Sequence, residues 1–277
     1  MTAVVSHPVG SCRVTRVPYF DVALAPGDLQ LSEEMIAGAG DSASPWVDAD
    51  RRPLVGQVVW VIESGDQVVV VDPCGAADLF IRTGPEAIGH QDAVFAAMEA
   101  AGFPRERVDT VVLSHLDGIG MTAAMTDSGD WVPAFPSARI VMTQRELDFL
   151  EATTDAVQGL EVLRALMVQG AVDGVGGSAT IAPDVTLRFT GGHSTGHAVV
   201  RVESDGDLAT FLGHLALSPL HLGAGPCEGM HEDAGVAYDA LQAIVDEAIA
   251  RSALVIGPLW PTPGVCRVGA DRVPKPV

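Results

Sequence analysis

Residues 108–121 read VDTVVLSHLDGIGM, an apolar run that passes directly into side chains able to bind protons or metal ions. The run at residues 108–113 is short, apolar and bounded by polar residues, which predicts a buried strand. The strand leads at once to Ser114 and His115, so its end carries an ionisable group.

β-rich patterns lie on both sides of this run. Residues 57–71 read QVVWVIESGDQVVVV, two β-rich runs around an E-S-G-D turn, which predicts a hairpin. Further strands are predicted at residues 138–142, 185–189, 198–202, 208–212 and 253–256. Helices are predicted at residues 91–101, 144–150, 156–168 and 235–251.

Two halves of the chain thus each contribute strands followed by helices, with no low-complexity linker or internal repeat between them. This order suits two sheets packed face to face with helices outside, an α/β (α+β) four-layer αββα sandwich forming a single domain over residues 1–277. A doubly wound nucleotide-binding fold is the alternative. It is disfavoured because neither G-x-G-x-x-G nor G-x-x-x-x-G-K follows a strand.

The charge of the chain limits its partners. The formal net charge is −20, and Lys275 is the single lysine among 16 basic residues. Such a surface repels phosphate backbones and anionic lipid headgroups, so neither nucleic acid nor a membrane is expected as a partner. A small-molecule substrate is expected instead, and a homodimer stays open.

The sequence also bears on cellular location. No apolar run reaches the ~18 residues that a membrane helix needs. The first 25 residues carry Pro8, Arg13 and Arg16, where a signal peptide needs an uninterrupted apolar stretch. A cytoplasmic location is therefore expected. The cysteines form no C-x-x-C pair, so reduced and mostly buried thiols are predicted.

Five further segments form an ordered set with residues 108–121. They read VVVVDPCG at 68–75, DWVPAFPSARIVMTQREL at 130–147, GGHSTGHAVVRVES at 191–204, FLGHLALSPLHL at 211–222 and VIGPLWPTPGVCRV at 255–268. Together, the six segments resemble the metallo-β-lactamase superfamily, closest to its lactonase and ester-hydrolase branch. The resemblance implies the αββα fold and a site at one edge of the sandwich, where histidine-bearing loops meet.

The resemblance also implies metal ligands. Members of the superfamily use five histidines and two aspartates to hold two cations that share a bridging hydroxide. In this sequence His115 matches the first histidine of the main ligand loop, and Asp117 matches its aspartate. His193 matches the histidine of the next ligand loop.

The remaining ligand positions differ from the family pattern. The ligand loop is two residues shorter, so its middle histidine has no counterpart, and Gly118 replaces its last histidine. His214 stands where the bridging aspartate is expected, and Leu259 stands where the final histidine is expected. Two ions cannot be held on this inventory, because each needs about three protein ligands.

Three functions stay open. The first is an enzyme with no cofactor, acting on a small, uncharged or apolar organic molecule in specialised metabolism. Its catalytic residues are His193, His214, Asp117 and His115, because histidines titrate near neutrality and can move protons. Its reaction stays open between proton transfer, cyclisation, elimination and hydrolysis.

The second function is a hydrolase of a lactone or ester, with one zinc ion on His115, His193 and His214 and an open fourth position. The third is a non-catalytic binding protein on the same fold.

Other residues are assigned weaker roles. Substrate contacts are predicted for His221, Leu259 and Trp260, with a surface histidine as the alternative for His221. Structural roles are predicted for Asp72 and His197. Surface positions without a partner are predicted for His7, His90 and His231.

Overall fold

The computed structural model describes residues 4–25, 27–73, 85–116, 121–153 and 159–277, with residues 19, 20, 28 and 85–90 described by backbone alone. Within these ranges, most strands belong to two seven-stranded sheets. None of the described helices has the length and apolar character needed to cross a bilayer.

The first sheet is built from the N-terminal half of the chain. Its strands are, in spatial order, Val5–Val9 (β1), Cys12–Ala23 (β2), Leu54–Ser64 (β3), Gln67–Val71 (β4), Thr110–Val112 (β5), Arg139–Thr143 (β8) and Val172–Val175 (β9). Strands β1 to β4 pair antiparallel, whereas β4, β5, β8 and β9 pair parallel. Ala123–Met125 (β6) and Trp131–Pro133 (β7) form a separate two-stranded sheet.

The second sheet is built from the C-terminal half. Its strands are, in spatial order, Ser178–Ala182 (β10), Val185–Phe189 (β11), Ala198–Ser204 (β12), Asp207–Phe211 (β13), Leu254–Ile256 (β14), Val265–Val268 (β15) and Pro274–Pro276 (β16). Neighbouring strands pair antiparallel, except that β13 and β14 pair parallel.

Helices connect these strands. Among the described residues, the α-helices are Glu33–Gly38 (α1), Pro85–Ala100 (α2), Gln144–Ala152 (α3), Leu160–Val168 (α4) and Ala234–Arg251 (α5). Short 3₁₀ turns occupy Asp28–Gln30, Gly40–Ala43, Arg105–Arg107, Gly213–Leu215 and Pro219–Gly223. Asp233 caps α5 by accepting a hydrogen bond from Val236 N at 3.0 Å, which satisfies one of the free N–H groups of the first turn.

The apolar side chains form one layer between the sheets and one layer on each outer face. Trp60 of the first sheet meets Phe211 of the second edge to face, with ring centroids 5.7 Å apart. Helices α2, α3 and α4 cover the outer face of the first sheet, and α1 and α5 cover that of the second. The prediction of a four-layer αββα sandwich is therefore confirmed.

The hairpin at residues 57–71 could be predicted from sequence because its first strand is buried on both faces. Val58, Trp60 and Ile62 point into the layer between the sheets, while Val59 and Val61 point to the helical layer. A strand that is apolar on both faces reads as a continuous apolar run. The predicted hairpin at residues 57–71 corresponds to β3 and β4, whereas β1 and β2 were not predicted.

The two sheets are joined at one edge, close to the end of β5. Ala198 N, at the start of β12, donates a hydrogen bond of 2.9 Å to the carbonyl oxygen of Ser114. The segment that follows β13 reaches the same edge, where His214 N donates to His197 Nε2 at 3.2 Å. The segments that follow β5, β11 and β13 therefore meet there. The assignment of residues 1–277 to one domain stays a prediction.

Candidate functional site

Three histidines converge at the joined edge of the sheets. One ring nitrogen from each of His115, His193 and His214 lies within 4.8 Å of those of the other two. The ring centroids are 4.7 Å apart for His115 and His193, 4.3 Å for His115 and His214, and 5.1 Å for His193 and His214. The structure thus brings together three of the four residues predicted to be catalytic. The fourth, Asp117, lies outside the described residues.

Different elements present the three rings. His115 follows β5, His193 lies between β11 and β12, and His214 lies in the 3₁₀ turn after β13. His115 and His214 are buried and His193 is half-buried. His115 Nε2 lies 3.0 Å from His214 Nδ1, so these nitrogens can share a proton or face a common cation.

Asp72 and Ser114 hold the His115 loop. Asp72 Oδ1 accepts a hydrogen bond of 2.7 Å from Ser114 N, and Ser114 Oγ lies 2.8 Å from His115 Nδ1. Burial raises the pKa of the Asp72 carboxyl, while His115 and the Ser114 N–H act in the opposite direction. The hydrogen bond to the His115 loop agrees with the structural role predicted for Asp72.

His197 supports the turn that carries His214. Its ring is fully buried; Nε2 accepts a hydrogen bond of 3.2 Å from His214 N, and Nδ1 lies 2.7 Å from Thr190 Oγ1. Burial, followed by the neighbouring histidines, lowers the pKa of His197 well below its ordinary value. A neutral imidazole with both nitrogens engaged agrees with the predicted structural role.

Glu146 ties two of the loops together, a role that the sequence did not indicate. Its buried carboxylate accepts hydrogen bonds from Ser194 Oγ and Gly196 N, each at 2.8 Å, and from Leu116 N at 3.4 Å. One side chain at the start of α3 therefore fastens both the His115 segment and the His193 loop.

His231 was predicted to be an isolated surface residue, and this prediction is wrong. The ring is half-buried, and its Nδ1 lies 3.1 Å from His193 Nδ1. Burial, and secondarily His214, lowers the pKa of His231. No motif surrounds His231, so no sequence signal placed it here. His7 is also buried, contrary to its predicted surface position, and the side chain of His90 is not among those described.

All three residues predicted to contact the substrate are buried. His221 is only 2% exposed, which rules out the surface alternative, and burial lowers its pKa to about 4. It lines a cleft with Leu215, Pro226, Cys227, His231, Tyr238 and Leu241. Leu259 is buried beside Val55. Trp260 is fully buried, and its Nε1 donates to Ala216 O at 2.9 Å. Substrate contact by these residues stays a prediction.

Comparison with solved structures identifies the fold. A hydrolase of the β-lactamase superfamily, AbOPH, matches with a TM-score of 0.77 and 17% sequence identity, over 100% of this chain and 98% of that chain. A probable metal-dependent hydrolase from Staphylococcus aureus matches with a TM-score of 0.74 and 12% identity, over 97% of each chain. AidC, a dizinc quorum-quenching lactonase, matches with a TM-score of 0.70 and 15% identity, over 99% of this chain and 97% of that chain.

No protein-family profile and no curated protein matches the sequence. At these identities the structural matches establish the fold. The chain has the metallo-β-lactamase fold, as the sequence predicted.

The donor set suits one metal ion. A tetrahedral zinc ion with Zn–N distances of about 2.0–2.1 Å places its nitrogen ligands about 3.3–3.4 Å apart. The three ring nitrogens, within 4.8 Å of one another, need only small shifts to reach that spacing. Among the described residues, this is the one group of three histidine, cysteine, aspartate or glutamate side chains close enough to hold an ion.

Proposed function

We propose that the protein is a single-metal hydrolase of a small lactone or ester, with one zinc ion on His115, His193 and His214. The observation that carries this proposal is the convergence of three imidazole nitrogens within 4.8 Å. Three histidines with an open fourth position are the ligand set of a known class of catalytic zinc site. The descriptions of two structural neighbours, as a dizinc lactonase and a metal-dependent hydrolase, add support.

Contacts with neighbouring residues orient the histidine rings for metal binding. A zinc ion, when bound, supplies Lewis acidity to a carbonyl oxygen and lowers the pKa of water. The contact between Ser114 Oγ and His115 Nδ1 leaves Nε2 of that ring facing His214. The bond from His214 N to His197 fixes the backbone beneath the second ring. Outer contacts of this kind orient ligand histidines and reduce the rearrangement on metal binding.

One ion is proposed rather than two. Leu259, at the position matched to a histidine ligand, is buried among apolar side chains and offers no side-chain donor. His214, at the position matched to the bridging aspartate, brings no negative charge. Two divalent cations at this site would therefore meet too few donors and too little opposing charge.

Metal-free acid–base catalysis is the second candidate. It is favoured by the 3.0 Å distance between His115 Nε2 and His214 Nδ1, at which one imidazole can donate directly to the other. His193 beside them, with Asp117 as the proposed orienting carboxylate, would complete a set able to move protons. A non-catalytic binding protein is the remaining alternative.

The substrate is proposed to be small and uncharged or apolar. The net charge of −20 disfavours polyanionic ligands. Leu215, Tyr238 and Leu241 form walls of the cleft beside His231, so the surface next to the histidines includes apolar side chains, although the cleft itself has room for only about one water molecule. A place in specialised metabolism and a cytoplasmic location belong to the same proposal, and a homodimer stays open.

Elemental analysis of the purified protein, followed by zinc titration and turnover assays on uncharged lactones and aryl esters, tests the function. We expect one zinc per chain, as the three-histidine ligand set requires. Zinc and hydrolysis should be lost together in His115→Ala, His193→Ala and His214→Ala. As the control, His7→Ala removes a buried histidine of β1 outside the cluster and should retain both.

Three outcomes would contradict the single-metal hydrolase. Two tightly bound equivalents of zinc per chain would show that the site holds two ions. Full turnover without metal would establish the acid–base alternative. Zinc binding with no turnover on any lactone or ester would favour a binding protein.

A further inference from the structure

The segment that begins at His231 is fastened to the loop that carries His193. Glu232 N donates to His193 O at 3.2 Å, and Asp233 N donates to Gly192 O at 2.8 Å. Thr195 Oγ1 donates to the Glu232 carboxylate at 3.0 Å. Because Asp233 also caps α5, the start of that helix fixes the backbone on which His193 stands.

Gly192 makes this close approach possible. Its φ is +84°, and a Cβ at this position would lie 2.3 Å from Ala237 N in the first turn of α5. The His193 loop therefore lies directly against the helix start, where a larger residue would not fit. The His193 loop and the start of α5, which follows His231, are thus fixed against each other, and this holds the two histidines in contact.

The two imidazoles meet through their Nδ1 atoms. These nitrogens are 3.1 Å apart, and the rings are nearly perpendicular at 83° with centroids 5.3 Å apart. A hydrogen bond between two ring nitrogens needs one N–H donor and one lone pair. The direction of this bond therefore decides which nitrogen of His193 carries the proton and which carries the lone pair.

We infer that His231 is a positioning residue: its Nδ1 accepts the N–H of His193 Nδ1, so that His193 Nε2 keeps the lone pair for a cation or a proton. This inference rests on the proposed function, in which His193 acts through a ring nitrogen. Ligand histidines usually donate their second N–H to an outer acceptor that fixes the tautomer. Here that acceptor is an imidazole from a segment without any motif.

The tautomer of His193 tests this inference without metal or substrate. Long-range ¹H–¹⁵N spectra of the metal-free wild type, with His193 assigned by mutation, should show the proton on Nδ1. In His231→Ala this preference should be lost, whereas His231→Asn should retain it, because the asparagine Oδ1 takes the place of the acceptor nitrogen. Glu228→Ala, an exposed change in the same segment, should leave the spectrum unchanged.

Cobalt(II) titration followed by visible absorption gives a second readout. We expect affinity to fall about 10–100-fold in His231→Ala, as is typical for loss of an outer partner, and to recover in His231→Asn. A proton on Nε2 of His193 in the wild type would overturn the inference, and this result does not require any variant to fold. Failure of the wild type to bind metal would refute the proposed function but not the tautomer assignment.

Discussion

Gly213 shows how one residue shapes the candidate site. It has a φ of +54°, and a Cβ there would lie 2.4 Å from His197 Nε2, the atom that accepts the hydrogen bond from His214 N. An alanine would therefore be strained and would also push against the buried ring. The turn that presents His214 therefore requires a glycine at position 213, which has no Cβ.

We predict that Gly213→Ala lowers the free energy of unfolding by about 2–4 kcal/mol, adding left-handed strain to the loss of a buried hydrogen bond. Zinc affinity should fall as well. Gly206→Ala is the matched control, because Gly206 has a φ of +91° and a Cβ added there would meet nothing within 4 Å. Equal losses for the two variants, measured by urea unfolding, would show that the contact with His197 has no effect.

The sequence identified His115, His193 and His214 because each lies in a segment that resembles a family motif. It did not identify His231 or Glu146 as partners of these loops. The His231 contact spans 38 positions in the chain, and Glu146 reaches 48 positions to Ser194. Such pairs arise only when loops fold together, so local pattern could not indicate them.

At the level of elements, helix α3 contributes more to the site than its length suggests. The T-x-x-E spacing at Thr143 and Glu146 is typical of a capping box, in which the glutamate turns back to the cap. Thr143 does accept a hydrogen bond from Glu146 N at 3.2 Å. The Glu146 carboxylate instead points to the neighbouring loops, so the helix start joins them.

We predict that Glu146→Gln lowers the free energy of unfolding by about 2–4 kcal/mol. An amide has one acceptor oxygen where the carboxylate has two, so its NH₂ would face an N–H or O–H donor, and charge-assisted bonds would be lost. Glu151→Gln, an exposed change in the same helix, should have little effect. Equal unfolding midpoints for Glu146→Gln and the wild type would show that the hydrogen bonds of Glu146 to the two loops do not stabilise the fold.

Strand prediction succeeded where the apolar pattern was uniform and failed where it was interrupted. The runs that became β3 and β4 are apolar on both faces. In β1 and β2, Pro8 lies in an edge strand, where a missing N–H is tolerated. Arg16 is fully buried in β2 and pairs with Asp21 at 3.3 Å. A buried charge in an inward position breaks the apolar pattern that marks a strand.

At the scale of the whole molecule, the order of strands and helices was enough to predict the layers. Helices follow strands in each half, and the apolar clusters place them outside both sheets. The sequence argued against two metal ions, but the choice between one ion and none could not be predicted in the same way, because it depends on distances between loops rather than on order. Ring nitrogens within 4.8 Å of one another are a property of the folded chain alone.

Buried histidines should make the stability of the whole molecule depend on pH. Burial lowers the pKa of His221 to about 4, from an ordinary value of 6.5. Between these values the unfolded chain binds a proton that the folded chain does not, so stability falls as pH falls from 6.5 towards 4. The raised pKa of Asp72 acts in the opposite sense, because its folded state binds the extra proton.

We predict that the difference in His221 pKa between the folded and the unfolded chain lowers the free energy of unfolding by about 2 kcal/mol when the pH falls from 7.5 to 5. His221→Asn isolates it, since the asparagine Oδ1 can replace Nδ1 as acceptor for Ser218 N but does not titrate. Urea unfolding of both proteins at the two pH values should give a smaller loss for the variant. Because both chains share the other ionisable groups, the comparison cancels the effect of the −20 net charge. Identical losses would mean that His221 is protonated in the folded protein as readily as in the unfolded chain.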